Sequence, residues 1–597
     1  MQAFQPLALY HRVLYLADSF FRQFLPTDQH VYTLRIQRIS GVLLVLFLIW
    51  LLARTVVLFL AGREADQPSL LYREPPHGAS GLVVIVHGWM AGPPDMNEVA
   101  EVVAGLSGYN NFGIWLWGYS AGRFSNKEPA GLAHDLCMGI EEQHRRCSGE
   151  VVLIGHSLGG LLLRRAWLEG LDDERSWAGL VSRIVLLAAP NRGTTATDRS
   201  WALWLGDALV RSFRVARLIQ GVYRGAPFVV DLRIDWIRRF SAMKNPPLVA
   251  QIIGGNDGKV SVSDSNDMLQ FPSAIQRTLM NSTHESIVLR REVGPDLGEI
   301  LTMQAQRHDA SQEAGDGRVV KVFLAHGIRD YGERFRDIAD VVRAAGAPLH
   351  LTVVATAPRY RYFSALQFIN PLSRRAKMYD FADRYTELLA SRPVSAPIHF
   401  VGHSFGTYLM LKGTDEYRAM HFDRAYLAGS VLHEDFLSKR QLLGQRIGHV
   451  RNDIASRDWA VGLLCSALDG LGLAIDVGTA GFNGFTAMTE PQLYDEIRYY
   501  DGGHGRALDP PNRANIAAWL FQDWGPAKFN HLLVEKELAA VKAFVSKRPT
   551  RWDLYSHAAP FVAGILLTFF VYLILFGIHP GLVVCILLVI TVLLQII

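Results

Sequence analysis

Val151–Gly160 reads VVLIGHSLGG, and Ile398–Gly406 reads IHFVGHSFG. Each is an apolar run that ends in Gly-His-Ser-x-Gly, and the two serines, Ser157 and Ser404, stand 247 positions apart (404 minus 157). A short apolar run broken by glycine reads as a buried strand. Gly-x-Ser-x-Gly between a strand and a helix makes a sharp turn that pushes the hydroxyl out at the C-terminal edge of a sheet. Glycine is needed on both flanks because a side chain there would collide with the neighbouring strand or helix. The fold therefore turns on whether the flanking sequence repeats along with the motif.

It does. Leu82–Val86 (LVVIV) runs into His87-Gly88-Trp89, and Lys321–Ala325 (KVFLA) runs into His326-Gly327-Ile328. Gly88 precedes Ser157 by 69 residues (157 minus 88), and Gly327 precedes Ser404 by 77 (404 minus 327). After each serine come a helix-like run and another apolar strand, Ile184–Ala189 (IVLLAA) and Ala425–Gly429 (AYLAG). Strand-like runs alternating with helix-like ones predict an α/β fold: two tandem domains, each a mostly parallel sheet with helices on both faces. We expect a first domain over 78–300, a polar linker over 301–318 and a second domain over 319–545.

A serine hydroxyl is a weak nucleophile until a base takes its proton. In this topology the acid follows the serine and the histidine comes last. In the first half, Gln251–Val262 (QIIGGNDGKVSV) offers Asp257, and Asn281–Val288 (NSTHESIV) offers His284. Asp264 and Asp267 compete for the acid. In the second half, Val450–Val461 (VRNDIASRDWAV) holds Asp453 and Asp458, with Asp458 favoured because it falls just past the strand. Tyr499–Arg506 (YYDGGHGR) offers His504, and Asp501 reads as a turn residue. The amides of Leu158 and Phe405, next to the serines, and of Trp89 and Ile328, after the HG pairs, are candidate oxyanion donors.

These residues resemble the α/β-hydrolase superfamily, over most of the chain from Gly81 to about Ala540. The first copy is similar to the lipase branch, including the GPI inositol-deacylase-like group, through HGW at 87–89, GHSLGG at 155–160, AAPNRGT at 188–194 and NDGKVSV at 256–262. The second is similar to a more distant bacterial α/β-hydrolase through HGIRD at 326–330, GHSFG at 402–406, SRDW at 456–459 and GGHG at 502–505. It departs in a longer Asp–His gap and a glycine-rich insertion, Val477–Phe485 (VGTAGFNGF). The resemblance implies Ser157, Asp257 and His284 as one triad and Ser404, Asp458 and His504 as another, with no metal or organic cofactor.

The remaining sequence speaks of membrane. The chain has 597 residues, 50% of them hydrophobic and 19% charged. A net charge of +4 makes no case for nucleic acid. Four cysteines without a CxxC pair point to neither a disulfide framework nor zinc, a single Cys137–Cys147 bridge being the alternative. After a leader over 1–40, residues 41–61 are long and apolar enough for a membrane helix. Residues 560–597 read as a transmembrane hairpin turning at His579-Pro580, a shallow re-entrant hairpin being the alternative. Lys547, Arg548 and Arg551 beside that hairpin favour catalytic domains on the cytoplasmic side of a bacterial inner membrane. An insertion over 198–245 carries eight arginines between Arg199 and Arg239, interleaved with Trp201, Trp204 and Trp236. It is expected to form a cap over Ser157 that faces a lipid surface.

The chemistry expected is a membrane-anchored serine hydrolase acting on ester bonds of lipids or lipid-linked molecules. An acyltransferase or thioesterase with the same triad, and a non-catalytic scaffold that kept the fold, are the alternatives.

Overall fold

The computed structural model describes residues 66–524 apart from 77, 148, 196–215, 268–273, 305–317, 329–331, 359–362, 456, 472–475, 487–489 and 500–501, together with helical residues between 44 and 59 and between 555 and 564. Strands β1 (Leu70–Arg73), β2 (Gly81–Val86), β3 (Phe112–Trp117), β4 (Glu150–His156), β5 (Val181–Leu187), β6 (Leu248–Gly254) and β7 (Ile275–Leu279) form one sheet in the order β1-β3-β2-β4-β5-β6-β7. Strands β8 (Arg318–Ala325), β9 (Leu351–Thr356), β10 (Ile398–His403), β11 (Phe422–Ala428), β12 (Ile447–Ala455) and β13 (Tyr494–Tyr499) form a second, ordered β9-β8-β10-β11-β12-β13.

Apart from β1, which pairs antiparallel with β3, every pairing is parallel. The six parallel strands of the first sheet run in the same order as the six of the second. Two sheets of one plan fit tandem domains. The central strands β2 and β4 carry unbroken runs of Val, Ile and Leu, LVVIV and VVLI, because both of their faces are covered. Strands β3, β7 and β9 lay outside the sequence reading, since each lacks a motif to mark it.

Helices α1 (Asn97–Ala104), α2 (Pro129–His144), α3 (Leu158–Asp172), α4 (Pro227–Ala242) and α5 (Arg290–Thr302) belong to the first unit. Helices α6 (Glu333–Gly346), α7 (Pro371–Ala390), α8 (Phe405–Glu416) and α9 (Pro510–Leu520) belong to the second. α1 and α5 cover one face of the first sheet, and α6 and α9 cover one face of the second. The remaining faces share a single core in which α2, α3 and α4 join α7 and α8. The two units are thus fused helix layer to helix layer.

The joint is charged as well as apolar. Arg233, only 1% exposed, donates to both oxygens of Asp267 at 2.7 and 3.0 Å and to Asp383 on α7 at 2.5 Å. Arg224 reaches the same Asp383 at 2.7 Å and lies 3.5 Å from Asp264. Arg192 bonds Glu387 on α7 at 3.0 Å. Gly225, at φ +79°, lies so close to the Tyr379 ring that a β-carbon would stand 1.9 Å from it. Only glycine allows that approach.

Of the cap expected over 198–245, residues 198–215, with Arg199, Arg211, Arg214, Trp201 and Trp204, lie outside the described set; α4 packs between the units. Arg224, Arg233 and Arg238 turn toward acceptors of the second unit, Arg238 donating to the Ala419 carbonyl. Trp236 is buried against Trp167 and Phe240, under the Arg164 guanidinium. Carboxylates on α7 and an apolar bed on α3 compete for these side chains and win over a lipid surface.

Among the described residues no helix is long and apolar enough to cross a membrane. The leader over 1–40, most of the linker, and the hairpin from 565 onward lie outside them. Cys137 and Cys147 are free thiols, as is Cys465.

Replacing Asp383 by alanine strips a carboxylate from a buried guanidinium. It should cost about 3 kcal/mol, read as a lower urea midpoint of the purified chain. The triple replacement Arg233→Met with Asp267→Leu and Asp383→Leu, which leaves neither of Arg233's two carboxylates stranded, should recover much of the loss. Single and triple variants with unchanged midpoints would show that the ion cluster does not hold the units together.

Candidate active site

Each serine sits in the turn its flanking sequence demands. Ser157 has φ 51° and ψ −123°, and Ser404 has φ 53° and ψ −120°, a region that side chains rarely adopt. The glycines make room for it. A β-carbon on Gly159 would stand 2.4 Å from the Val86 carbonyl oxygen, and one on Gly406 would stand 2.1 Å from that of Ala325. The HG pairs complete the nest. A β-carbon on Gly88 would lie 2.8 Å from Cβ of Ser157, and one on Gly327 the same 2.8 Å from Cβ of Ser404. Glycine after each HG histidine therefore lets the first loop close onto the elbow. Leu158 and Phe405 open α3 and α8, so their amides are among the first-turn donors that lack an intrahelical acceptor.

In the first unit a continuous chain forms. The Ser157 hydroxyl lies 2.9 Å from Nε2 of His284, whose Nδ1 lies 2.7 Å from Oδ2 of Asp257. The amides of Lys259 and Val260 each donate to Asp257 at 2.8 Å. Burial alone would raise the Asp257 carboxyl. The bond and charge of His284, with the two amides, outweigh it and hold the group below the ordinary aspartate value. It is an anion at neutral pH, suited to orient an imidazole and to steady its cation. The rival acids Asp264 and Asp267 are taken up by Thr195 and by the arginines of the inter-unit cluster.

In the second unit Asp458 bonds Nδ1 of His504 at 2.6 Å and accepts from the Val461 amide at 2.9 Å. Val461 belongs to a one-turn π-helix, Ala460–Cys465, which brings that amide back onto the carboxylate. Asp453 is occupied by Tyr426 and Arg451. Asp501 lies outside the described residues. Among the described residues no hydrogen bond joins Ser404 to His504, whose side chain is 21% exposed against 8% for His284. The insertion 477–485 lies along the loop after β11, its amides at Gly478, Ala480 and Gly481 donating to Val431, Leu432 and Ser430. That contact explains its glycines: a β-carbon on Gly481 would stand 2.1 Å from the Ser430 nitrogen.

The histidine inside each Gly-His-Ser was passed over in the sequence. His156 donates from Nε2 to the carbonyl of His284 at 2.9 Å, and His403 does the same to His504 at 3.0 Å. Burial pushes His156 down to about 3, so it stays neutral and keeps this donor. The signal was present, since the same residue type recurs at the same motif position in both halves. His87 stacks on Tyr119 at 4.3 Å, while Tyr119 donates to the His87 carbonyl. Trp89 is half-buried and donates its indole N–H to Gly122. Among the described residues no group of three or more His, Cys, Asp or Glu is placed to hold a metal ion.

Residues 83–282 match the model of the alpha/beta hydrolase family. That stretch, a third of the chain, is similar to the alpha/beta hydrolase family. No curated protein matches the chain. Among solved structures, the mature form of lipase BlEst2 from Bacillus licheniformis shares 17% identity with this chain, over 40% of it and 98% of the lipase, at a TM-score of 0.29. A monoacylglycerol lipase from Paleococcus ferrophilus shares 16%, over 40% of this chain and 100% of its own, at 0.29. Phospholipase PlaB from Legionella pneumophila shares 16%, over 32% and 45%, at 0.24.

If His156 steadies the backbone of His284, His156→Phe should slow fluorophosphonate capture at Ser157 by roughly tenfold, about the worth of one buried hydrogen bond. The thermal midpoint should change far less than the rate. An unchanged capture rate would remove His156 from the site.

Proposed function

We propose that the chain is a membrane-anchored serine hydrolase that cleaves ester bonds of lipids or lipid-linked molecules. The observation that carries this is the Asp257–His284–Ser157 chain, with links of 2.7 and 2.9 Å at the end of a parallel sheet. Ser157 Oγ attacks the acyl carbon while His284 Nε2 takes its proton. Asp257 holds the imidazole in the tautomer that leaves Nε2 free and stabilises the cation that forms. The amides of Leu158 and Trp89 receive the oxyanion. His284 then returns the proton to the leaving alcohol. A water deprotonated by the same imidazole releases the acyl group from the serine.

Ser404 is proposed as a second nucleophile of the same kind, oriented by Asp458 and His504. Its hydroxyl would meet the imidazole once substrate is in place, as active-site hydrogen bonds often tighten only then. The lipid part of the reading is supported by the apolar segments over 41–61 and 560–597, and the cytoplasmic side by Lys547, Arg548 and Arg551.

An active-site-directed fluorophosphonate should label Ser157. Ser157→Ala should lower turnover of the ester that Ser157 processes at least about 10³-fold, with unfolding unchanged. Assays on short-chain esters and on phospholipid vesicles identify the substrate. Capture at neither Ser157 nor Ser404 would falsify the hydrolase reading.

A further inference from the structure

The two sites differ in charge at one matched position. In the first unit the residue after the base is Glu285, which pairs with Lys259. In the second it is Gly505, and a guanidinium occupies the space a side chain would fill. A β-carbon built on Gly505 would lie 2.5 Å from Nη1 of Arg334 and 3.8 Å from Nη2. Arg334 stands in the first turn of α6, which follows the HG loop of its unit, and it is exposed. Among the described residues no carboxylate pairs with it, although most arginines near it do pair: Arg343 with Asp340, Arg506 with Asp509 and Arg513 with Asp337.

Arg334 also acts on the histidine of the second elbow: burial first, then the charge of His504, hold His403 well below its ordinary value, and Arg334 adds to the effect. The first site is thus flanked by the Glu285–Lys259 ion pair and the second by a guanidinium that, among the described residues, has no carboxylate partner. Such a guanidinium beside a catalytic loop is suited to a carboxylate or phosphate, whose paired oxygens match its planar fork. His504 is also the more open of the two bases, which leaves room for a charged group at its side.

We propose that the Ser404 site takes acyl esters carrying an anionic group, carboxylate or phosphate, close to the scissile bond, with Arg334 as the residue that recognises the anion. The proposal rests on the reading of Ser404 as a nucleophile. It gives the two halves separate substrates: esters without an anion near the scissile bond at Ser157, and anionic ones at Ser404.

The test uses the full chain in detergent, with Ser157→Ala so that only Ser404 acts. kcat/KM is measured on 4-nitrophenyl butyrate and mono-4-nitrophenyl glutarate, and on 1-acylglycerol and 1-acylglycerol 3-phosphate. The anionic member of at least one pair should be preferred, and the pair concerned tells carboxylate from phosphate. In Arg334→Gln the anionic-to-neutral ratio for that pair should fall about tenfold, the size of one charge-assisted hydrogen bond. Arg334→Lys, which keeps the charge, should fall less. A ratio that favours the neutral ester, or one that Arg334→Gln leaves unchanged, overturns the anion preference while Ser404 stands as a nucleophile. No turnover together with no fluorophosphonate capture at Ser404 overturns the reading of Ser404 itself, and the anion preference with it.

Discussion

A serine forced to a positive φ is the constraint on which both halves of this chain depend. The strained backbone costs roughly 1–3 kcal/mol at each elbow, so the surroundings must leave no easier conformation. They do so by contact. The glycine two residues after each serine lies against the carbonyl at the end of the first motif strand, Val86 or Ala325. The HG glycine closes from the other side onto the serine Cβ. The serine amide is itself tied to the next strand, at Leu187 or Ala428. The elbow, the HG segment and the end of the next strand, from distant parts of each half, therefore meet at one serine. The buried parallel strands beneath supply the rigidity.

That rigidity is shared between the halves. The core on the inner faces is continuous, and Arg233 is held by Asp267 from one unit and Asp383 from the other. A buried charge of this kind adds less to stability than to register, since two fully desolvated carboxylates fix where the arginine stands. Asp264 and Asp267 lie a few residues after Asp257, so the acid loop of the first site is anchored to the same cluster. Through these contacts the second half supports the first mechanically, whatever chemistry it performs itself.

The two sites then diverge at their rims. Ser157 and His284 are hydrogen-bonded, with the Glu285–Lys259 ion pair beside them. Ser404 is as buried as Ser157, but His504 is the more open base and Arg334 stands beside its loop. The difference is set by single positions, Glu285 against Gly505, on an otherwise matched plan. One strand order thus accommodates two charge environments, because rim residues carry none of the packing that holds the elbow.

Much of this was legible in the chain. The apolar runs, the HG pairs and the Gly-His-Ser-x-Gly turns mark the strands that carry the candidate site residues, because burial and tight turns leave few residue types acceptable there. The order of serine, acid and histidine in each half pointed to Asp257, His284, Asp458 and His504, the residues that the fold brings together. Spacing alone left Asp264 and Asp267 in competition with Asp257, and Asp453 with Asp458. Tertiary contacts decided between them, since an acid's role depends on which cation or imidazole lies opposite it in space. The arginines of 198–245 show the same limit more sharply. As a string they read as a basic surface for lipid, whereas the fold sets Arg224, Arg233 and Arg238 against acceptors roughly 150 to 190 residues away. Local sequence determined the turns, the strands and the candidate nucleophiles. Only the folded chain decided which charges meet, because pairing between charges is settled by distance in three dimensions and leaves no periodic mark along one.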